Sequence, residues 1–423
     1  AFVLVPESST ELKQIFDWTS FLPDPMVERF AAYLLPHHLS HMTNLSSPAT
    51  NHKVNGLLFT LGVTPSELER RDPAFLQKRL VQAAALAERL GARLLGLDGL
   101  PDVIFPAVGT AAQHIALPLT TGRTLALVTT LNTAVALQNQ LTPHKHQQRL
   151  LITAATSPLG QRAAAWLTQT NLPITLLANE PDRLIMLKQA LEADGADGQL
   201  INISTTAESA LRQASLVVVP EPQAALNWRK CAPGAVIYDL TRPFAHPPET
   251  WAARPDVVVI QATAVRPPGT PSLGYDFELF DGAIPSELAE VILLALENQT
   301  SGLSLAPVPA LDEMRLMARL FEQHGFQLAA GRSYQDNITP EVIAERLALA
   351  QTLRHDPDKL AVWQGLTPDS PEQQNELQLG DVPPNLQANN KPNRKRMLTA
   401  TGLGAAIAAV AAGVAWWWKK RDT

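Results

Sequence analysis

The 423-residue chain is 46% hydrophobic and 17% charged, which excludes chain-wide disorder and leaves room for two or three domains. Its single cysteine, Cys231, excludes an internal disulfide framework and any cysteine-built zinc or iron–sulfur cluster. The net charge of −6 is uneven. Residues 391–423 hold seven Lys or Arg against one Asp, so residues 1–390 carry −12, and no nucleic-acid partner is expected of a body that acidic.

The first elements read as an α/β domain over 1–125. AFVLVP at the start and NGLLFTL (55–61) have strand character. Pro73 to Leu90 predicts a helix, with Pro in the first turn and Phe75, Leu76, Leu80, Ala83, Ala84 and Leu86 at helical spacing. ARLLGLDG (92–99) predicts a strand closed by a Gly turn. The Arg and Lys residues on the 73–90 helix read as a solvated face, with docking of an acidic carrier protein as the functional alternative. His37, His38 and His41 have the look of a metal cluster. No carboxylate occurs between Tyr33 and Thr43, however, so they read as boundary histidines and no metal is expected.

Residues 150–260 alternate short apolar runs with helical stretches: 150–153, 173–178, 199–204, 215–220, 235–240 and 256–261 are the predicted strands. Apolar strands separated by helices predict a parallel sheet covered on both faces, and right-handed crossovers make it doubly wound, a Rossmann domain. The helices over 285–300 and 311–324 are expected to pack back between this domain and the N-terminal one, and the second domain is set at 126–335.

The turn after the first of these strands should face a dinucleotide. It runs Ala154-Ala155-Thr156-Ser157-Pro158-Leu159-Gly160, where a dinucleotide turn carries three glycines. Only Gly160 remains, and Ala154 and Ser157 add side chains where phosphates approach, although the Ser157 hydroxyl can donate to one. Ala154, Thr156, Ser157 and Gly160 are therefore the candidate cofactor residues, with Asn179 and Glu180 after the second strand as the ribose-facing positions. Asp239 closes the 235–240 strand, where open α/β sheets present ligand-facing side chains, and Arg242 follows it.

The end of the chain is set apart. Residues 336–396 comprise a helical segment and, from 366, a polar tether rich in Pro, Asn and Gln. Met397 to Trp418 is uncharged over 22 residues, ends in three tryptophans and is bracketed by basic clusters. As a helix it is about 33 Å long, enough to cross a bilayer, which predicts a single-pass C-terminal anchor with the body in the cytoplasm. No secretory pattern is visible at the first residues.

Taken in order, the stretches RLGARLLGLDGLPDVIF (89–105), VTTLNTAVAL (128–137), RLLITAATSPLGQRAAAWL (149–167), LLANEPDRL (176–184), VIYDLTRP (236–243), AEVILLALENQ (289–299) and EMRLMARLFEQHGFQL (313–328) resemble the long-chain acyl-acyl-carrier-protein reductases of cyanobacterial type. The resemblance covers about 1–332. It implies an N-terminal substrate domain, a Rossmann domain, NADPH (or NADH) as cofactor, and reduction of fatty acyl thioesters to aldehydes. Acyl carrier protein or a lipid-derived substrate is the implied partner.

The departures fall on the implied site. The family's nucleophilic Cys lies in an Ala-Cys-x-Ala-Glu stretch, which here reads Ser286-Glu287-Leu288-Ala289-Glu290. Glu287 stands at the Cys position, and a carboxylate attacking a thioester gives only a labile anhydride. Ser286 is beside it, with no evident His base. A Gly-Gly pair of the family is matched by Ala262-Thr263, its NADP-phosphate Arg by Asn179, and its substrate turn by Thr129-Thr130-Leu131-Asn132, which makes Thr130 and Asn132 the candidate substrate residues. Cys231 reads as a structural thiol. Two functional expectations follow: a membrane-anchored oxidoreductase acting on acyl or carbonyl groups with an altered site, or a non-catalytic Rossmann-fold scaffold tethered to the membrane.

Overall fold

The computed structural model describes residues 1–365 apart from 7, 99, 101, 224–225, 242–243, 281, 300–304 and 335. The predicted tether, the 397–418 span and Arg242 lie outside the described residues.

The chain opens with β1 (Phe2–Leu4), the helical hairpin α1 (Ser9–Ile15) and α2 (Asp24–Ala31), then β2 (His37–Ser46), β3 (Lys53–Thr60), α3 (Pro65–Arg70), α4 (Pro73–Arg89), β4 (Leu95–Leu97), α5 (Phe105–Ala112), β5 (Leu119–Thr120) and α6 (Arg123–Leu141). Next come β6 (Leu150–Ile152), α7 (Pro158–Leu167), β7 (Ile174–Leu177), α8 (Pro181–Ala193), β8 (Ile201–Ser204), α9 (Ala207–Gln213), β9 (Leu216–Val219), β10 (Val236–Asp239) and β11 (Val258–Ile260). The remainder is β12 (Ala262–Arg266), β13 (Ile284–Pro285), α10 (Ser286–Leu296), α11 (Leu311–Gln323), β14 (Gln327–Ser333), β15 (Asp336–Asn337), α12 (Pro340–His355) and α13 (Pro357–Trp363).

These strands make three sheets. The middle one has the order β8-β7-β6-β9-β10-β11 with every neighbouring pair parallel, which is the doubly wound dinucleotide-fold order. All six strands predicted between 150 and 261 belong to it. Their uninterrupted apolar runs have the expected cause. Leu150, Ile152, Leu216, Val218 and Tyr238 pack under α6 and α7, while Leu151, Val217, Val219, Ile237 and Val259 face a second core with Trp228, Cys231 and Trp251. Helices cover both faces, so neither face of a strand needs polar residues.

The N-terminal sheet runs β2-β3-β1-β4-β5, with β2 antiparallel to β3 and the other pairs parallel. The three histidines 37, 38 and 41 lie on β2, and among the described residues no group of acidic, Cys or His side chains is placed to hold a metal. A small antiparallel sheet, β13-β12-β14-β15, has no counterpart in the sequence reading. Strand β11 passes into β12 through Gln261 alone, so one line of backbone joins the Rossmann sheet to this third sheet. Helices α10 and α11 cover the N-terminal sheet: Leu288, Ile292 and Phe321 share a core with Phe2, Leu4 and Leu58.

One buried ion pair ties the loops at the amino ends of β10 and β11. Arg254 donates to both carboxylate oxygens of Asp256 (2.8 and 2.7 Å) and to the carbonyls of Arg229, Cys231 and Ala232, while Asp256 also accepts the Gly234 N–H at 2.9 Å. Both side chains are buried, and Asp256 is fully enclosed. Such a pair offsets its desolvation only while every partner is in place. Arg254→Ala should therefore cost about 3–5 kcal/mol of unfolding free energy. Urea denaturation of the variant against the parent measures it, and a loss below about 1 kcal/mol would mean that Asp256 finds another partner.

Candidate functional site

A cleft of about 60 Å³ opens at the carboxyl ends of β10 and β11, where the N-terminal lobe meets the Rossmann sheet. Tyr238 and Leu240 come from the end of β10, Gln261 and Thr263 from the β11–β12 passage, Arg123 and Thr130 from α6, and Ser286 and Glu287 from the first turn of α10. Open α/β sheets bind ligands at this edge.

The cleft is assembled by one buried carboxylate. Glu290, one turn into α10, accepts the Leu125 N–H at 2.8 Å and the hydroxyl of Thr120. Leu125 lies in the first turn of α6, whose N-cap is Gly122 and offers no side chain, so a residue distant in sequence supplies the missing cap. Gly122 has φ +69°, and a Cβ there would lie 2.5 Å from the Cα of Glu287, so only glycine allows the two helix starts to meet this closely. Burial pushes the Glu290 carboxyl above the usual range, and its hydrogen bonds from Thr120 and Leu125 oppose that shift.

Ser286, a candidate nucleophile, is differently employed. Its hydroxyl donates to the Thr263 carbonyl (2.7 Å) and accepts from the Thr129 hydroxyl (2.9 Å), and the residue is 1% exposed. Among the described residues no His lines the cleft to act as its base. It joins α10, α6 and β12. Cys231 is also remote, enclosed between Trp228 and Ile237, with its thiol pushed up to about 12 by burial. Glu287 is half-buried and faces the cleft. Thr130 lines it while its hydroxyl donates to the Ala126 carbonyl (2.8 Å). Asn132 lies elsewhere: its side-chain oxygen accepts from Trp166 Nε1 (3.1 Å) and joins α6 to α7.

The structure also brings forward residues not singled out from sequence. Arg123 stacks over Phe105 at 5.1 Å, and both line the cleft. Thr263 lines the cleft, and its hydroxyl, closed off from solvent, has no protein partner among the described residues. Thr263 stood in the sequence only as a replaced glycine; nothing local in the chain announces an unpartnered hydroxyl.

At the phosphate turn, Ala154 adopts the left-handed backbone (φ +43°) usual for a first glycine. Gly160 packs against the Ala154 carbonyl so closely that a Cβ has no room, the helix–strand role of a last glycine. Ser157 caps α7 by accepting the Gly160 N–H at 3.1 Å, and Pro158 at the first helical position has no N–H. In the first turn of α7 this leaves the Leu159 N–H for an anion. Thr156 donates to Glu180 Oε2 at 3.0 Å, and its carbonyl accepts from Gln161 and Arg183, both at 2.9 Å. Asn179 is exposed beyond β7. Asp239 does not face the cleft. Its carboxylate accepts from the Thr241 N–H and hydroxyl and pairs with His246 Nδ1 at 3.1 Å, on the opposite face of β10 from Tyr238.

A nicotinamide dinucleotide fits this turn in part. The strand order, the Ala154 backbone, Gly160 and the carboxylate of Glu180 beyond the second strand suit an adenosine ribose with free hydroxyls, whereas the diphosphate meets fewer backbone donors than usual.

Glu290 carries the pH test. Its raised native pKa contributes stability that is complete below the ordinary Glu value of 4.5 and is lost as pH rises through the raised native value. Glu290→Gln retains an acceptor for Leu125 N–H without the titration. The variant should therefore gain on the parent as pH rises above 4.5 in denaturant melts. Parallel pH profiles for the two would contradict it.

No family model matches the chain. A curated relative, the aminotransferase PigE of Serratia sp. (strain ATCC 39006), is 24% identical over 294 residues, which are 66% of this chain and 34% of that protein. The chain thus spans about a third of the length of that relative. Among solved structures, L-tryptophan dehydrogenase from Nostoc punctiforme superposes over 83% of this chain and 88% of its own, at 8% identity and a TM-score of 0.34. D-mandelate dehydrogenase of Rhodotorula graminis does so over 56% and 74%, at 11% identity and a TM-score of 0.25.

Proposed function

We propose that the chain is a nicotinamide-dependent oxidoreductase that exchanges hydride with a carbonyl group, on a body tethered to a bilayer through 397–418. The observation that carries this is the cleft at the carboxyl edge of the Rossmann sheet, which the half-buried Glu287 carboxyl faces. The cofactor, when bound, supplies or accepts the hydride. Glu287 is the carboxyl placed to exchange the proton that accompanies hydride transfer.

Thioester chemistry through a covalent intermediate is not supported by these residues. Ser286 is committed to Thr263 and Thr129, and the Cys231 thiol is enclosed in another core. The substrate is therefore read as a free carbonyl, lipid-derived because of the tether, rather than an acyl thioester of the kind the family resemblance implies. NADH is the favoured cofactor, because an acidic residue, Glu180, follows the second strand, the residue type that suits free ribose hydroxyls.

Fluorescence titration of both cofactors into the detergent-solubilised chain tests the reading. NADH should bind saturably and more tightly than NADPH, and Glu287→Gln should leave that binding intact while lowering carbonyl turnover by about 10²-fold. Ser157→Gly should cost only a few tenths of a kcal/mol, yet release the Gly160 N–H and tighten NADH binding. Weaker binding would mean that the Ser157 hydroxyl itself holds the phosphate. The crowding of that turn also favours the alternative of a non-catalytic tethered module; a folded chain that binds neither cofactor at millimolar concentration would establish it in place of the oxidoreductase.

A further inference from the structure

The α1–α2 hairpin and the loop after it leave several large apolar side chains uncovered. Leu12, Phe16, Leu22, Val27 and Ala31 form its own small core. Outside that core Phe21, Tyr33 and Leu35 are 70%, 68% and 63% exposed, and Trp18, Met26 and Phe30 are partly so. Three large apolar side chains are exposed within fifteen residues, Phe21 at the connection into α2 and Tyr33 and Leu35 just after it. Lys13 pairs with Asp24 at 2.7 Å, Arg71 lies 5.3 Å over the Tyr33 ring, and Asp17 and Arg29 are exposed nearby. Aromatic rings with a charged rim suit the boundary between headgroups and acyl chains.

We infer that this hairpin is the surface by which the body rests on a bilayer, with Phe21 and Leu35 inserted among the headgroups. The inference rests on the reading of 397–418 as an anchor, and the end of the chain supplies the argument for the occupant. The tether 366–396 is 31 residues long, with a root-mean-square span of about 30 Å. A body of this size has a radius of gyration of about 21 Å. The hairpin is thus held within about one body diameter of the membrane, at millimolar effective concentration, where a weak apolar partition suffices to set orientation. The tether leaves beside the amino end of β10, where Gln364 donates to the Lys230 and Cys231 carbonyls, and its length lets a surface on the other lobe turn to the lipid.

The lipid is zwitterionic by the same reasoning. Residues 9–35 hold four acidic and two basic side chains, so anionic headgroups gain nothing here, and the contact is apolar and insensitive to salt.

Cys231 is fully buried with its thiol pushed up to about 12, so a thiol introduced at the surface can be labelled selectively. An environment-sensitive fluorophore is placed at Phe21→Cys, at Leu35→Cys and, as a control, at Met186→Cys on α8, which is 67% exposed. The full chain is then reconstituted in phosphatidylcholine vesicles that contain brominated lipid. The labels at 21 and 35 should be quenched about twofold or more, equally at low and high salt, with the label at 186 unchanged. Absence of quenching at both hairpin positions in a chain that floats with the vesicles overturns the inference and leaves the anchor standing. A chain that does not float overturns both. A shielded label at 21 or 35 before vesicles are added assigns the patch to a second copy, which also overturns it.

Discussion

The hydrogen bonds from Thr120 and Leu125 to Glu290 are the contacts on which the site depends. They place one carboxyl group between three elements from different parts of the chain: α10, the short strand β5 and the start of α6. A helix that begins with glycine has no side-chain cap of its own. Here a neighbouring helix provides the acceptor, and in doing so brings its own first turn to the same point. The absence of a Cβ at Gly122 is what lets that turn arrive. Glu287 and Ser286 face the sheet edge because Glu290, one turn later, is fixed. Burying the carboxyl is unfavourable to its charged form, and its two donors lessen that penalty without removing it.

The Rossmann sheet was legible because its strands obey a rule strong enough to survive without context. Runs such as LVVV (216–219) and VIYD (236–239) are apolar on both faces, and only a covered parallel sheet asks for that. The antiparallel β12–β15 sheet was not. Its strand QLAAGRS is of mixed polarity and mostly half-buried, so its pattern points to no face. The α1–α2 hairpin was hidden for another reason: its helices are of seven and eight residues, short enough that packing rather than periodicity decides them.

The candidate site was legible in place and less so in role. Neighbours in sequence part company according to which way a side chain leaves the element. Thr130 faces the cleft and Asn132, two positions along α6, faces Trp166. Tyr238 and Asp239 lie on opposite faces of β10, so a strand-end carboxylate that suggested a ligand instead holds the following loop through Thr241 and His246. Hydroxyls behave alike. Those of Ser286, Thr156 and Ser157 are engaged within the protein, whereas that of Thr263 is not. Which hydroxyl is left over depends on the assembled neighbours, and residue type alone carries no trace of it.

The covering of the N-terminal sheet by α10 and α11 bears on how the chain comes into being. Strands β1 and β3 leave a synthesising ribosome long before Leu288, Ile292 and Phe321, which close their apolar face. Until about residue 323 has emerged, the first lobe has a sheet and no lid. The Rossmann core waits as well: Met314 and Ile338 belong to it, and Val342, Ile343 and Leu347 of α12 pack against it. Both lobes are therefore closed by the last helices made, and until those emerge the first sheet keeps one apolar face open.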